Sequence, residues 1–440
     1  MLFSSLWSTT CLLISSVLTD HANAKPYVLD HRTNVSYTGI TSSKGVESFR
    51  GIRYGLDTSG ENRFAPPRAF VPPTAITIML RPSWAKNGSK LPVMVYIYGG
   101  ALIVGTINER TTAPDGFIHA SVAGGEPIIY VGMNYRVNIF GFPASEALRQ
   151  NNSLNAGLRD QRLALEWIQQ NIEVFGEIKT DFNSTAAVAA FAGCNSSDYQ
   201  SMATIACLRS LSMETLLNHM IYQEVDSADT VNTTTFDELL DLYPASEFQA
   251  DPSANLSTEF YRCAQIFRDI LLVCPTVLFS QAMAKKYNTT NPPSYLYVGN
   301  QTIMTSYLDA TGQPGLGVIH TSDLAYLFNN IDLYNVTDLD LPDYVFEPTE
   351  SDYALAKSLP LSWISLGTHG NPSRINGSMP GWTSAWPTTG GEGEIFVIGG
   401  GNEGMSKLGS DGVNSGVVGE RLVERCGFLG REDVIEQFQF

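Results

Sequence analysis

Apolar and polar positions follow two different periods along this chain. Leu91–Tyr98 (LPVMVYIY) and Pro127–Asn134 (PIIYVGMN) are nearly unbroken apolar runs rich in Val and Ile, the first bounded by Gly99-Gly100. Runs of that length and composition predict strands buried on both faces of a parallel sheet. Asn155–Gly176 (NAGLRDQRLALEWIQQNIEVFG) has a helical period instead. Leu163, Trp167 and Val174 fall at helical spacing, as do Leu165, Ile168 and Ile172, which makes a wide apolar stripe. Gly176 sits where a helix stops on a left-handed residue. The pattern predicts a long helix packed on a sheet, with another strand to follow. Val46–Pro67 reads as an early strand and turn followed by a loop, Asn232–Pro244 and Tyr261–Pro275 as helices, and Tyr295–Tyr297 as a short strand.

A length of 440 residues allows one large α/β domain or two ordinary ones, and 43% apolar residues supply ample core. The net charge of −17 with a pI near 4.7 excludes a phosphate-backbone partner, so no nucleic acid is expected. Met1–Ala24 reads as a signal peptide, with a short apolar region around Leu12–Leu18 and a small-x-small site at Ala22-Asn-Ala24. That run is too short and too rich in Ser and Thr to span a bilayer, and no later stretch predicts a transmembrane anchor. Eleven Asn-x-Ser/Thr triplets, from Asn34 to Asn376, join it in predicting a secreted protein carrying N-glycans. No spacing suggests a zinc or calcium site, and the glycine clusters at Gly390–Gly393 and Gly399–Gly404 lack the strand–turn–helix context of a phosphate loop.

Asn155-Ala-Gly-Leu-Arg-Asp-Gln161, Ala164-Leu-Glu-Trp-Ile168 and Phe175-Gly176 resemble the type-B carboxylesterase/lipase family, which includes the cholinesterases. Further matches come in family order: Phe49, Gly51, Ile52 and Tyr54, then Arg63, Phe64 and Pro67, then Asn134-Tyr135-Arg136 with Gly141-Phe142, and finally Trp363, Gly370-Asn371-Pro372 and Trp386-Pro387. The resemblance implies an α/β-hydrolase domain over residues 25–440, a mostly parallel, doubly wound sheet with helices on both faces. It implies hydrolysis of a small-molecule or lipid ester through an acyl-serine, with no metal and no cofactor. Asn134 and Arg136 read as scaffold contacts.

Candidate chemistry follows from the same resemblance. The family's glycine turn, whose bare amides hold the oxyanion of a tetrahedral intermediate, corresponds to Gly99, Gly100 and Ala101. Ala101 excludes a conformation open to glycine alone. Gly317-Val-Ile-His320-Thr-Ser-Asp323-Leu-Ala-Tyr326-Leu-Phe328 matches the loop of the triad histidine. An imidazole titrates near neutrality and can carry a proton from serine to the leaving alcohol. The acid falls in Gln223–Asp229, with Glu224 as the best match and Asp226 or Asp229 as rivals, unless all are surface carboxylates. Cys194 and Cys207 resemble the family's second short-range disulfide. Cys263 and Cys274, roughly 16 Å apart on one helix, are too far to bridge, and Cys426 is a candidate free thiol.

The nucleophile is what the chain lacks. The family's helix leads into a strand and a Gly-x-Ser-x-Gly elbow; here Gly176 is followed by Glu-Ile-Lys-Thr-Asp-Phe, and no such elbow occurs anywhere. Too few residues separate Gly176 from Cys194 to hold a strand, an elbow, a helix and a further strand. A second gap lies near residues 70–80. The chain as written is therefore expected to be nearly inactive. The alternatives are a longer natural product carrying the gap segments, a non-catalytic esterase-like glycoprotein, and a hydrolase using Ser184.

Overall fold

The computed structural model describes residues 25–70, 78–85, 89–176, 231–287, 293–336, 344–387, 392–409, 417 and 420–438. The chain divides into two compact units, Met1–Lys179 and Thr180–Phe440.

In the first unit, β1 (Tyr27–Asp30) and β2 (Val35–Thr38) form an antiparallel hairpin. The main sheet has the order β3 (Ile40–Thr41), β4 (Val46–Phe49), β5 (Ile78–Pro82), β7 (Ile129–Met133), β6 (Val93–Ile97). Only β6 and β7 are parallel, joined by a crossover through α1 (Asp115–Ala123); the other pairings are antiparallel. The sheet is thus mixed over the described residues rather than mostly parallel. Of this sheet's antiparallel pairs only β3 and β4 are joined by a short turn, while the parallel pair β6 and β7 needs the long crossover that α1 occupies.

All five residues of β7 are buried, as its sequence predicts. The face carrying Ile129, Val131 and Met133 packs with Phe49 and Ile52 against Ala164 and Ile168 of α2 (Ala156–Asn171) and against Ile172 and Phe175 beyond it. β6 departs from expectation. Val93 to Tyr96 are only half-buried and Ile97 is 38% exposed, because among the described residues β6 pairs with β7 alone.

The stripe predicted along α2 holds at Ile168, Ile172 and Val174 and fails at Leu165. Its buried line is Asp160, Ala164 and Ile168, continued by Ile172, at a spacing of four. Leu165 is 44% exposed, since a single residue step swings a side chain about 100° around the axis. Gly176 ends the following turn near-extended (φ 158°, ψ 140°), not left-handed helical, and a Cβ there would meet the Ile129 side chain.

The second unit holds a three-stranded sheet ordered β10 (Gly404–Lys407), β9 (Glu394–Ile398), β8 (Tyr297–Gly299), with β8 and β9 parallel. β9 is buried on both faces, and strand alternation divides it between two cores. Ile395 and Val397 face one that includes Leu296, Trp386 and Leu422; Phe396 and Ile398 face another that includes Tyr326, Leu355 and Trp382.

Helices α3 (Thr233–Leu242), α4 (Thr258–Arg268) and α5 (Cys274–Tyr287) precede this sheet, and a π-turn at Asp269–Val273 links α4 to α5. The continuous run Thr258–Lys285 is long and apolar enough to cross a membrane by length and composition. Within the domain it carries Asp269, fully buried, which accepts from Tyr243 and pairs with Arg268.

Cys274 is bonded to Cys426 across 152 positions of sequence, which corrects the expectation that Cys426 is a free thiol. Tertiary packing of α5 against α7 (Leu422–Leu429) brings the two together, and no local spacing encodes that. Cys263 is free and exposed, and does not bridge to Cys274. A cross-link closing so long a loop restricts the unfolded chain strongly. Replacing Cys274 and Cys426 by Ser should cost the second unit about 2–4 kcal/mol, read as a lower urea midpoint with little change in slope.

Candidate active site

β6 runs into the turn Tyr98–Gly105, and the turn's shape follows from its glycines. Gly100 (φ 125°) and Gly105 (φ 127°) occupy conformations that L side chains rarely adopt. A Cβ on Gly100 would collide with the Val104 carbonyl, and one on Gly105 with the Tyr98 ring. The Gly100 carbonyl accepts from the amides of Ile103 and Val104 (2.9 and 3.0 Å), which folds the chain back on itself.

Ala101 and Leu102 both adopt left-handed φ values (52° and 63°). Such a conformation costs a non-glycine residue roughly 1–2 kcal/mol, so Ala101 tolerates the turn without being the residue best suited to it. Gly99, Gly100 and Ala101 are all exposed, and their amides donate to no acceptor among the described residues. Amides without an acceptor among the described residues are the kind of donor that a developing oxyanion requires.

Rings anchor the turn from below. Tyr98 and Tyr135 stack with centroids 4.5 Å apart and exchange hydrogen bonds: Tyr98 Oη donates to the Tyr135 carbonyl (3.0 Å), and Tyr135 Oη to the Tyr98 carbonyl (2.7 Å). Asn134 Oδ1 accepts from the Ile107 amide, and Asn134 O from Tyr54 Oη (2.6 Å). Arg136 makes a two-point ion pair with buried Asp160 (2.7 Å at each contact), which also accepts the Arg136 amide. Asn134 and Arg136 thus make scaffold contacts; Asp160, the partner of Arg136, sits among helix positions that give no sign of it.

His320 lies in the second unit, exposed on the turn Ile319–Ser322. Thr321 beside it has φ 74°, an outlier for a β-branched residue. Strain of this kind persists only where surrounding contacts over-determine the backbone, and it concentrates at functional sites. Here those contacts are the Ser322 amide on the Ile319 carbonyl and the Leu324 amide on Thr321 (3.1 Å each). Ser322 is turned inward, its Oγ buried with no partner among the described residues. Asp323 accepts from Tyr297 Oη (3.3 Å), whose pKa is raised by burial and then by the Asp323 charge.

Beyond the turn, Ala325, Tyr326 and Phe328 are buried. Tyr326 Oη donates to Asp352 Oδ1 (2.7 Å), and the same oxygen accepts from Gln301 (2.6 Å). Asp352 closes a capping box with Thr349 at the start of α6 (Glu350–His369). Burial pushes its carboxyl pKa up, but the bonds from Gln301, Thr349 and Tyr326 outweigh that and hold it below the ordinary value. A depressed folded-state pKa stabilises the native state above the unfolded carboxylate value of about 4, and that contribution is lost as pH falls through the folded value. Asp352→Asn should therefore lower the melting temperature at neutral pH and flatten its fall in acid, checked by thermal unfolding between neutral and acidic pH.

The glycine turn and His320 belong to different units. Glu224, Asp226, Asp229, Ser184, Cys194 and Cys207 lie outside the described residues, as does Met1–Ala24. No cluster of His, Cys, Asp and Glu that could hold a metal occurs among the described residues.

The mixed sheet with a helical crossover between its parallel strands, together with the likenesses that follow, gives the α/β-hydrolase fold. The structure superposes on the crystal structure of Aspergillus niger EstA with a TM-score of 0.64, covering 95% of this chain and all of that one at 18% identity. A family model described as the carboxylesterase family matches residues 75–181. A secreted lipase of Arthroderma benhamiae is 30% identical over 564 aligned positions, spanning 95% of this chain and 97% of the lipase. An inactive carboxylesterase-like protein of Byssochlamys spectabilis is 28% identical over 92% of this chain and 94% of its own. The chain belongs to the carboxylesterase family. An alignment of 564 positions on a chain of 440 leaves internal segments of the lipase with no residue opposite them.

Proposed function

We propose that this chain is a secreted, N-glycosylated esterase scaffold that recognises carboxylic esters without cleaving them through an acyl-serine. One observation carries the reading: no Gly-x-Ser-x-Gly exists in the chain, and the text after Gly176 offers no elbow. On this reading the amides of Gly99, Gly100 and Ala101 receive the ester carbonyl, His320 holds the triad-histidine position and Glu224 the acid's. Met1–Ala24 directs export, Cys194 and Cys207 are bonded, and no metal or cofactor takes part. The inactive carboxylesterase-like relative supports loss of turnover within this scaffold. The test is a fluorophosphonate probe, which esterifies activated serines. The purified chain should remain unlabelled where an intact serine esterase is labelled to completion, and stoichiometric labelling of any serine, Ser184 included, would overturn the proposal.

A second reading is a secreted lipase encoded by a longer transcript of the same gene. It is favoured by the extra aligned positions of the Arthroderma lipase, which leave room for internal coding segments. Amplifying message across the Gly176 codon separates the two: a longer product encoding an elbow there supports the lipase.

A further inference from the structure

We infer that Asn300 is a glycosylation site that folding closes: a glycan on its Nδ2 and the native turn at Gly399–Gly400 exclude one another, so the folded chain carries none there. This depends on the glycoprotein reading above, on which Asn300-Gln301-Thr302 is one of eleven acceptor triplets. Modification joins the anomeric carbon of a lipid-pyrophosphate-linked oligosaccharide to the carboxamide nitrogen; the lipid pyrophosphate leaves and Nδ2 loses one proton. That nitrogen must therefore be accessible, with room beyond it for a sugar ring.

In the fold all three residues of the triplet are half-buried. β8 ends at Gly299, opposite Ile398 of β9, and the Asn300 amide donates to the Ile398 carbonyl (2.8 Å). β9 then turns back through Gly399 (φ 75°) and Gly400 (φ 70°), both left-handed. Glycine is needed there for space as well as for φ. A Cβ on Gly400 would lie 2.8 Å from Asn300 Nδ2, and one on Gly399 2.7 Å from Gln301 Cβ. The carboxamide nitrogen thus packs on the Gly400 backbone, where not even a methyl group fits between them.

Hydrogen bonds hold the triplet in that position. Gln301 Oε1 accepts the Gly400 amide (2.9 Å), and Gln301 Nε2 donates to Asp352 Oδ1 (2.6 Å). Thr302 Oγ1, the hydroxyl that completes the triplet, accepts the Met304 amide (3.0 Å). A sugar added before folding keeps the Gly399–Gly400 turn from closing over Asn300, and Asp352, at the start of α6, then loses its Gln301 donor. A sugar added after folding requires the turn to open first, and an opening that breaks packed contacts and hydrogen bonds is a rare state.

The experiment offers the full chain, made in bacteria and so without glycans, to a purified oligosaccharyltransferase and a lipid-linked oligosaccharide. Folded chain is compared with chain unfolded by reducing and alkylating its cysteines in denaturant, and the peptides are read by mass spectrometry. Asn300 should be modified in the unfolded chain and at least about tenfold less in the folded one, which reacts only through local opening. Gly400→Ala, which drives a Cβ toward Nδ2 at a strained φ, should raise modification of Asn300 in the folded chain. Equal modification of folded and unfolded parent would overturn the inference, as would a folded Gly400→Ala chain modified no more than the parent. So would no modification in either state, since the local sequence and not the fold would then silence the site. Chain secreted by a eukaryotic host separates this from the glycoprotein reading. No glycan at any triplet refutes that reading and leaves the folded–unfolded contrast standing, whereas a glycan at Asn300 of folded chain refutes the inference. The parent's contrast decides the matter even if Gly400→Ala fails to fold.

Discussion

Purified chain incubated with p-nitrophenyl acetate will release nitrophenol at a rate that His320→Ala leaves unchanged. A serine hydrolase stripped of its nucleophile loses on the order of 10⁶ in turnover, and ester binding with an oxyanion site retains only some 10³–10⁴ over water. The histidine of a triad acts by taking the serine's proton, and with no serine to deprotonate that contribution is gone. The residual rate should respond instead to the glycine turn. Gly100→Ala forces a Cβ into the Val104 carbonyl and turns the free amides away, which abolishes whatever the oxyanion site supplies. Measuring the three proteins side by side distinguishes the cases. A fall of more than tenfold in His320→Ala would mean that His320 takes part in ester cleavage, as nucleophile or as base, and would overturn the inactive-scaffold reading.

The chain's text shows some of this architecture clearly. β7 is buried at every position because it has neighbours on both edges and packing on both faces, the situation a continuous apolar run predicts. β6 has the same kind of sequence and a different environment: with one described neighbour, its Ile97 reaches solvent. Sequence encodes what a strand is suited to, not whether its partner is present. On α2, apolar spacing found the helix and, in Ile168 and Ile172, part of its buried line, but not Asp160 and Ala164, an acid and a small residue that periodicity overlooks. Two features were beyond reach. The Cys274–Cys426 bond depends on elements far apart in sequence, and the strain at Thr321 arises from contacts around the turn. His320, Gly99 and Gly100 were legible only through family text, since a loop histidine and a Gly-Gly after a strand are ordinary features by themselves.

Asp160→Ala should destabilise the first unit by about 3–5 kcal/mol, because it leaves the Arg136 guanidinium buried without its counter-charge. Both side chains are nearly inaccessible, 9% exposed for Arg136 and 4% for Asp160, so water cannot replace the lost carboxylate. The remaining partner of that guanidinium, the Ala65 carbonyl at 2.9 Å, accepts one hydrogen bond and carries no net charge. Asp160 also receives the Arg136 amide, so the substitution strands a backbone donor as well. Set against a total stability of about 5–15 kcal/mol, this is enough to unfold much of the unit at ordinary temperature. The double variant Arg136→Met with Asp160→Leu separates two meanings of the pair. If the ions mainly satisfy one another, removing both should recover most of the loss, since apolar replacements of similar volume are often neutral where a single deletion is not. If the double variant is as unstable as Asp160→Ala, the guanidinium's contacts are what hold the Tyr135–Gly141 segment in place. Gly157 makes that outcome physically reasonable: a Cβ there would strike the Arg136 carbonyl and the Phe142 ring, so helix α2 and that segment meet backbone to backbone. Urea unfolding of the parent, of Arg136→Met and Asp160→Leu made singly, and of the double variant gives the coupling energy directly.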